Sequence, residues 1–70
     1  MTQTDIILNH LQTLGKITQA EAMWRYGIMR LGARIFDLRE RGYRIVKDME
    51  KSTNRYGKPV RYAAYWLKED

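Results

Sequence analysis

Glycine punctuates this chain wherever its apolar periodicity breaks, and that punctuation restricts what it can fold into. Ile7, Leu8, Leu11 and Leu14 recur at helical spacing and stop at Gly15. A shorter pattern with Ala22, Met23 and Tyr26 stops at Gly27, and a third stripe of Leu31, Ile35 and Leu38 stops at Gly42. Glycine enters the left-handed backbone region without steric cost, so it is well suited to end a helix. After Gly42 the period becomes extended: Tyr43-Arg44-Ile45-Val46-Lys47 carries aromatic and β-branched residues in partial alternation. Val60 to Leu67, dense in Tyr, Trp and Val, reads as a second strand. The expectation is an α+β chain with helices at about 5–14, 19–26 and 30–41, then a two-stranded antiparallel hairpin at about 43–49 and 60–67.

Local signals place the starts unevenly. Thr4 is the expected N-cap of the first helix. Thr18-Gln19-Ala20-Glu21 has the capping-box pattern, in which Thr18 accepts from the Glu21 amide while Glu21 reaches back. The third helix has no Ser, Thr, Asp or Asn at its expected cap and is placed by periodicity alone. Lys16-Ile17 is too short for more than one or two extended residues. Residues 50–59 are polar and rich in turn formers, and read as a loop.

Composition removes several kinds of chemistry. Seventy residues allow one domain, spanning 1–70, near the lower size limit at which an apolar core holds alone. No cysteine is present, which excludes disulfides, thiolate metal sites and cysteine nucleophiles. The single histidine, His10, reads as a surface or partly packed side chain rather than a ligand or base. No carboxylate pair has the spacing or neighbours of an acid–base couple, and no Gly-rich phosphate loop follows a strand. The expectation is a protein that is not an enzyme, without catalytic residues, metal or cofactor. No apolar run approaches the ~18 residues of a membrane span, and no leader pattern precedes a cleavage site. A cytoplasmic location and no membrane partner are therefore expected. Trp24, Trp66, Tyr43, Tyr62 and Tyr65 read as core and strand packing.

The net charge of +5 is unevenly placed. Residues 25–47 hold seven bases against two acids, and 51–61 hold Lys51, Arg55, Lys58 and Arg61 with no acid. Charge clustered in this way favours a polyanionic partner. A short helix, a tight Gly-containing connection and a second helix form a helix-turn-helix, whose second helix lies in the DNA major groove. Beside the inward Leu31, Ile35 and Leu38, another stripe runs through Arg30, Arg34, Asp37 and Arg41. Guanidinium groups bind phosphate or the guanine edge bidentately, and the small Gly32 and Ala33 let the helix backbone come close. The same stripe also suits a solvated face with internal Arg–Asp pairs. In the hairpin loop, Lys51, Asn54, Arg55, Tyr56, Lys58 and Arg61 mix cations, an amide and an aromatic, suited to phosphates or the minor groove.

Residues 17–45, with Arg30-Leu31-Gly32-Ala33-Arg34-Ile35-Phe36-Asp37-Leu38-Arg39 at their centre, resemble small helix-turn-helix proteins common in bacteriophage genomes, of the winged-helix superfamily. The segment Arg34-Ile35-x-x-Leu38-x-x-x-Gly42-Tyr43 is also similar to the recognition-helix end of winged bacterial repressors. The resemblance implies a winged helix-turn-helix with Arg30, Gly32, Ala33 and Arg34 towards the groove, and with Arg41 and the wing cations on phosphates. It implies a double-stranded DNA-binding transcriptional regulator of a phage or bacterium, acting in the bacterial host cell. The alternative is a winged-helix module that inhibits or recruits a host or phage protein. With no added dimerisation helix after Leu67, a monomer or weak homodimer is expected.

Overall fold

A computed structural model describes residues 1–68. The elements are α1 (Gln3–Thr13), β1 (Lys16–Thr18), α2 (Gln19–Tyr26), α3 (Leu31–Glu40), β2 (Ile45–Thr53) and β3 (Pro59–Leu67). The α+β order of three helices and a hairpin is the one expected, with differences that each have a physical cause.

The first helix starts earlier than Thr4 predicts, because Thr2 caps it. Thr2 Oγ1 accepts from the Asp5 amide at 3.1 Å and Asp5 Oδ2 accepts from the Thr2 amide at 3.3 Å, a reciprocal capping box. Thr4 is left free to turn inward. It is buried, and its hydroxyl donates to Asp37 Oδ2 on α3 at 3.1 Å.

The second helix has the expected limits. Thr18 Oγ1 accepts from the Glu21 amide at 3.2 Å, while the Glu21 carboxylate is directed to Arg25, 3.0 Å away. Gly27 ends the helix at φ 68° and ψ 22°, and its amide donates to the Met23 carbonyl at 2.9 Å. That left-handed residue gives the sharp exit that sends the chain into α3 after only four residues.

α3 has no cap of its own at Arg30, and another element supplies one. Gln19, the first residue of α2, accepts from the Leu31 amide through Oε1 at 2.9 Å. Its Nε2 donates to the Ile28 carbonyl at 2.9 Å. One amide side chain thus satisfies an orphan donor of α3 and holds the turn between the two helices.

The hairpin is longer and its sheet wider than expected. β2 and β3 pair antiparallel from Ile45↔Leu67 to Thr53↔Pro59, so polar residues 50–53 are strand, and Asn54 to Lys58 alone form the loop. Backbone ladder bonds carry the pairing past the edge of the core, where side-chain hydropathy no longer reports it. Lys16–Thr18 also adds a third strand: Lys16 pairs with Trp66 and Thr18 with Ala64, giving the order β1-β3-β2. A three-residue strand is below what periodicity can detect, and it exists only because β3 lies beside it.

Ile7, Leu11, Ile17, Ala22, Ile28, Leu31, Ile35, Leu38 and Ile45 make one buried cluster fed by the three helices, the strands and the α2–α3 turn. His10 belongs with them, buried rather than at the surface. Its Nδ1 bonds the Tyr26 hydroxyl at 2.6 Å and its Nε2 the Lys16 carbonyl at 2.8 Å, so both ring nitrogens are satisfied. The radius of gyration is 12.6 Å, against about 11 Å for a compact chain of this length. The projecting end of the hairpin accounts for the difference, with a longest extent of 39 Å.

Candidate nucleic-acid interface

On α3, Leu31, Ile35 and Leu38 are buried, and the two flanks of the helix have different neighbours. One flank lies against α1. There Arg34 Nη1 donates to Gln3 Oε1 at 3.2 Å, and Arg34 Nε lies 3.2 Å from Asp37 Oδ2, an ion-pair separation without hydrogen-bond geometry. Arg41 Nη1 reaches Asp5 Oδ1 at 3.5 Å. Hydrogen bonds from Thr2, and then the Arg41 guanidinium, hold the Asp5 carboxyl below its ordinary range. So Arg34, Asp37 and Arg41, three members of the sequence-predicted stripe, are engaged with the first helix. The fourth, Arg30, is exposed at the start of α3.

The opposite flank faces the hairpin. Arg39 Nη2 donates to the Ile45 carbonyl at 2.9 Å. Gly32 lines a largely apolar cleft of about 350 Å³ with Gln19 and Ala20 of α2 and Tyr62, Ala63 and Tyr65 of β3. Between the flanks, the outward crest carries Ala33, Phe36 and Glu40. Ala33 is half-buried, Glu40 is exposed, and Phe36 is 61% exposed. Gly32 lies at the edge of the crest towards the hairpin, with a helical φ. A Cβ built on it meets nothing within 4 Å, so neither backbone strain nor packing requires glycine there.

Strand register decides which hairpin cations share a side with α3. Alternate residues share a face, so Lys47, Met49 and Lys51 lie on the face of the core residue Ile45, and Arg61 and Ala63 on that of Tyr65 and Leu67. Lys51 and Arg61 are directly opposite each other. At the tip, Asn54 is occupied by the turn itself. Its Oδ1 accepts from the Tyr56 amide at 2.9 Å and the Lys58 amide at 3.0 Å, which leaves Arg55, Tyr56 and Lys58 exposed around it.

The other face of the sheet is pinned by a polar cluster. Lys16 Nζ bonds Glu50 Oε1, the Tyr62 hydroxyl donates to Glu50 Oε2 at 3.1 Å, and the Lys16 ammonium lies 5.5 Å from the Trp66 ring centroid. The Lys16 hydrogen bond lowers the Glu50 carboxyl's pKa, and the bond to Glu50 raises that of Lys16. Tyr62 is raised by its bond to the same carboxylate. All three strands are thereby joined at the root of the projecting hairpin.

Sequence reasoning did not single out Gln19, Phe36 or Lys47. Gln19 carries no local signal, because the groups it serves are nine and twelve residues away. Phe36 was visible as an apolar residue off the Leu31–Ile35–Leu38 stripe, and Lys47 as a base two residues from Ile45 in a strand. Trp24, read as packing, is 82% exposed on α2 beside Arg25, and Met29 in the turn is 71% exposed.

Three helices, with α2 and α3 joined by a glycine turn and followed by a long antiparallel hairpin, define a winged helix-turn-helix protein. A family model described as a winged helix-turn-helix domain matches residues 2–70, and the chain belongs to that family. No curated protein and no solved structure matches it. Membership points to DNA as the partner. Among the described residues, no helix is long and apolar enough to cross a membrane.

Proposed function

We propose that this chain is a double-stranded DNA-binding transcriptional regulator of a phage or bacterium, working in the bacterial cytoplasm without a catalytic role. In this reading the outer face of α3 enters the major groove and the hairpin is the wing. Arg30 and the backbone at Gly32 and Ala33 meet the groove. Arg55, Tyr56 and Lys58 meet the flanking backbone or minor groove. Arg34 and Arg41, held on the α1 flank, reach phosphate at the groove edge rather than base edges.

The observation that carries the reading is the pairing of Lys51 with Arg61. Like charges directly opposite each other weaken an antiparallel pair, and a phosphate backbone laid along that face reverses the sign of the effect. Lys47 on the same face and Arg30 on α3 extend the cationic surface. Fluorescence anisotropy with a random duplex, titrated with salt, tests it. Arg61→Thr should weaken binding to all sequences and reduce the slope of log K against log salt by about 1. Absence of duplex binding at low salt overturns the reading.

A second reading is favoured by Trp24 and Met29, whose apolar surface a phosphate backbone does not require. It makes the chain a module that binds a host or phage protein through α2. Salt-tolerant retention of one defined protein by the wild type, lost in Trp24→Ala, would support it.

A further inference from the structure

The crest of α3 presents an aromatic ring where a DNA-reading helix is expected to be polar. Phe36 is 61% exposed in the middle of the helix, while the core beneath is already filled by Leu31, Ile35 and Leu38. Helical side chains lean back over the preceding turn, and the residue one turn before Phe36 is Gly32, which has no side chain to cover the ring. Ala33 adds a methyl group beside it. Phe36, Gly32 and Ala33 therefore form a low apolar plate on the outward side of α3.

What surrounds this plate indicates what it meets. Arg30 is exposed at one end of α3, and Lys47, Lys51 and Arg61 share the hairpin face towards the helices. Glu40, also exposed on the crest one turn beyond Phe36, suits the amino group of a cytosine on the same groove edge. The cations around the plate call for a partner that is anionic around a small apolar spot. On the major-groove edges of duplex DNA, the apolar feature is the 5-methyl group of thymine, and Phe and Ala are suited to contact it. We infer that Phe36, with Ala33 beside it, is a specificity-determining residue that recognises a thymine methyl group in the major groove. The inference rests on the DNA-binding reading and adds the base read by the crest of α3.

The test uses the full chain and a duplex enriched from a random pool. Deoxyuridine replaces each thymidine in turn, which deletes the methyl group while keeping charge and pairing. At one position or two adjacent ones the wild type should lose about fourfold in affinity, the worth of one buried methyl group. The loss should vanish in Phe36→Ala and persist in part in Phe36→Leu. Circular dichroism should show both variants folded, as substitution at an exposed position allows. Specific binding with no uridine-sensitive position, or with equal sensitivity in Phe36→Ala, overturns this inference and leaves DNA binding standing. Failure to enrich or bind any duplex overturns the DNA-binding reading itself. Self-association of the wild type that Phe36→Ala abolishes, with binding unchanged, assigns the plate to a second copy and also overturns the inference.

Discussion

Gly32 occupies a position where alanine would serve the free protein better. Its backbone is helical and the space around it is open. Glycine inside a helix costs about 0.5–1 kcal/mol relative to alanine. Gly32→Ala should therefore raise stability to urea by about that amount, and under the DNA-binding reading it should weaken duplex binding. A stabilised variant with undiminished affinity would show that nothing approaches this turn closely. Gln19 is the opposite case, an ordinary-looking residue with two structural bonds. Gln19→Ala leaves the Leu31 amide without its acceptor and should cost about 1 kcal/mol in urea unfolding. Gln19→Glu keeps the acceptor and loses the donor to Ile28, so its stability should fall between the two. The caps at Thr18 and the stop at Gly27 were legible from residues next to one another. The Gln19 cap was not, since its partners lie in the following turn and at the start of the next helix.

At the level of elements, the wing depends on the cluster at its root. Glu50 has its pKa lowered by Lys16, so its contribution to stability is present above the ordinary carboxylate value and is lost as pH falls through the lowered one. Asp5 adds a loss of the same sign on the acid side. Lys16 and Tyr62 are raised, so their contributions are present below their ordinary values and are lost as pH rises through the raised ones. Thermal melts should therefore show a plateau between an acid and an alkaline decline. Glu50→Gln should lower the melting temperature on the plateau and shallow both declines, leaving the Asp5 part of the acid limb. An unchanged acid limb would mean that the cluster does not couple the strands in solution. The expected hairpin ended at about residue 49 on its first strand because hydrophobic alternation ends there. The strand itself continues to Thr53, since ladder bonds need a partner strand and not a core.

In the whole molecule, a single buried cluster has to hold three helices and a sheet. Ile17 is fully buried and sits on the three-residue β1, between helices and sheet. Ile17→Ala should cost about 2–5 kcal/mol, a large share of the roughly 5–15 kcal/mol available to a domain. Urea denaturation should show the midpoint falling sharply. A small change would mean that β1 is peripheral to the fold. The sequence alone determined the order of the three helices and the hairpin, the turn between α2 and α3 and the buried stripe of α3. Caps, glycines and apolar period act between neighbours in the chain, and they are readable there. Only the tertiary structure decided which face of α3 is open and which cations share a side with it. Those outcomes depend on Arg34 meeting Gln3, Arg41 meeting Asp5, and β3 setting Lys51 opposite Arg61. The first two join segments well apart in the chain and the third is set by hairpin register, and helical or strand periodicity repeats its positions without saying which neighbour will cover them.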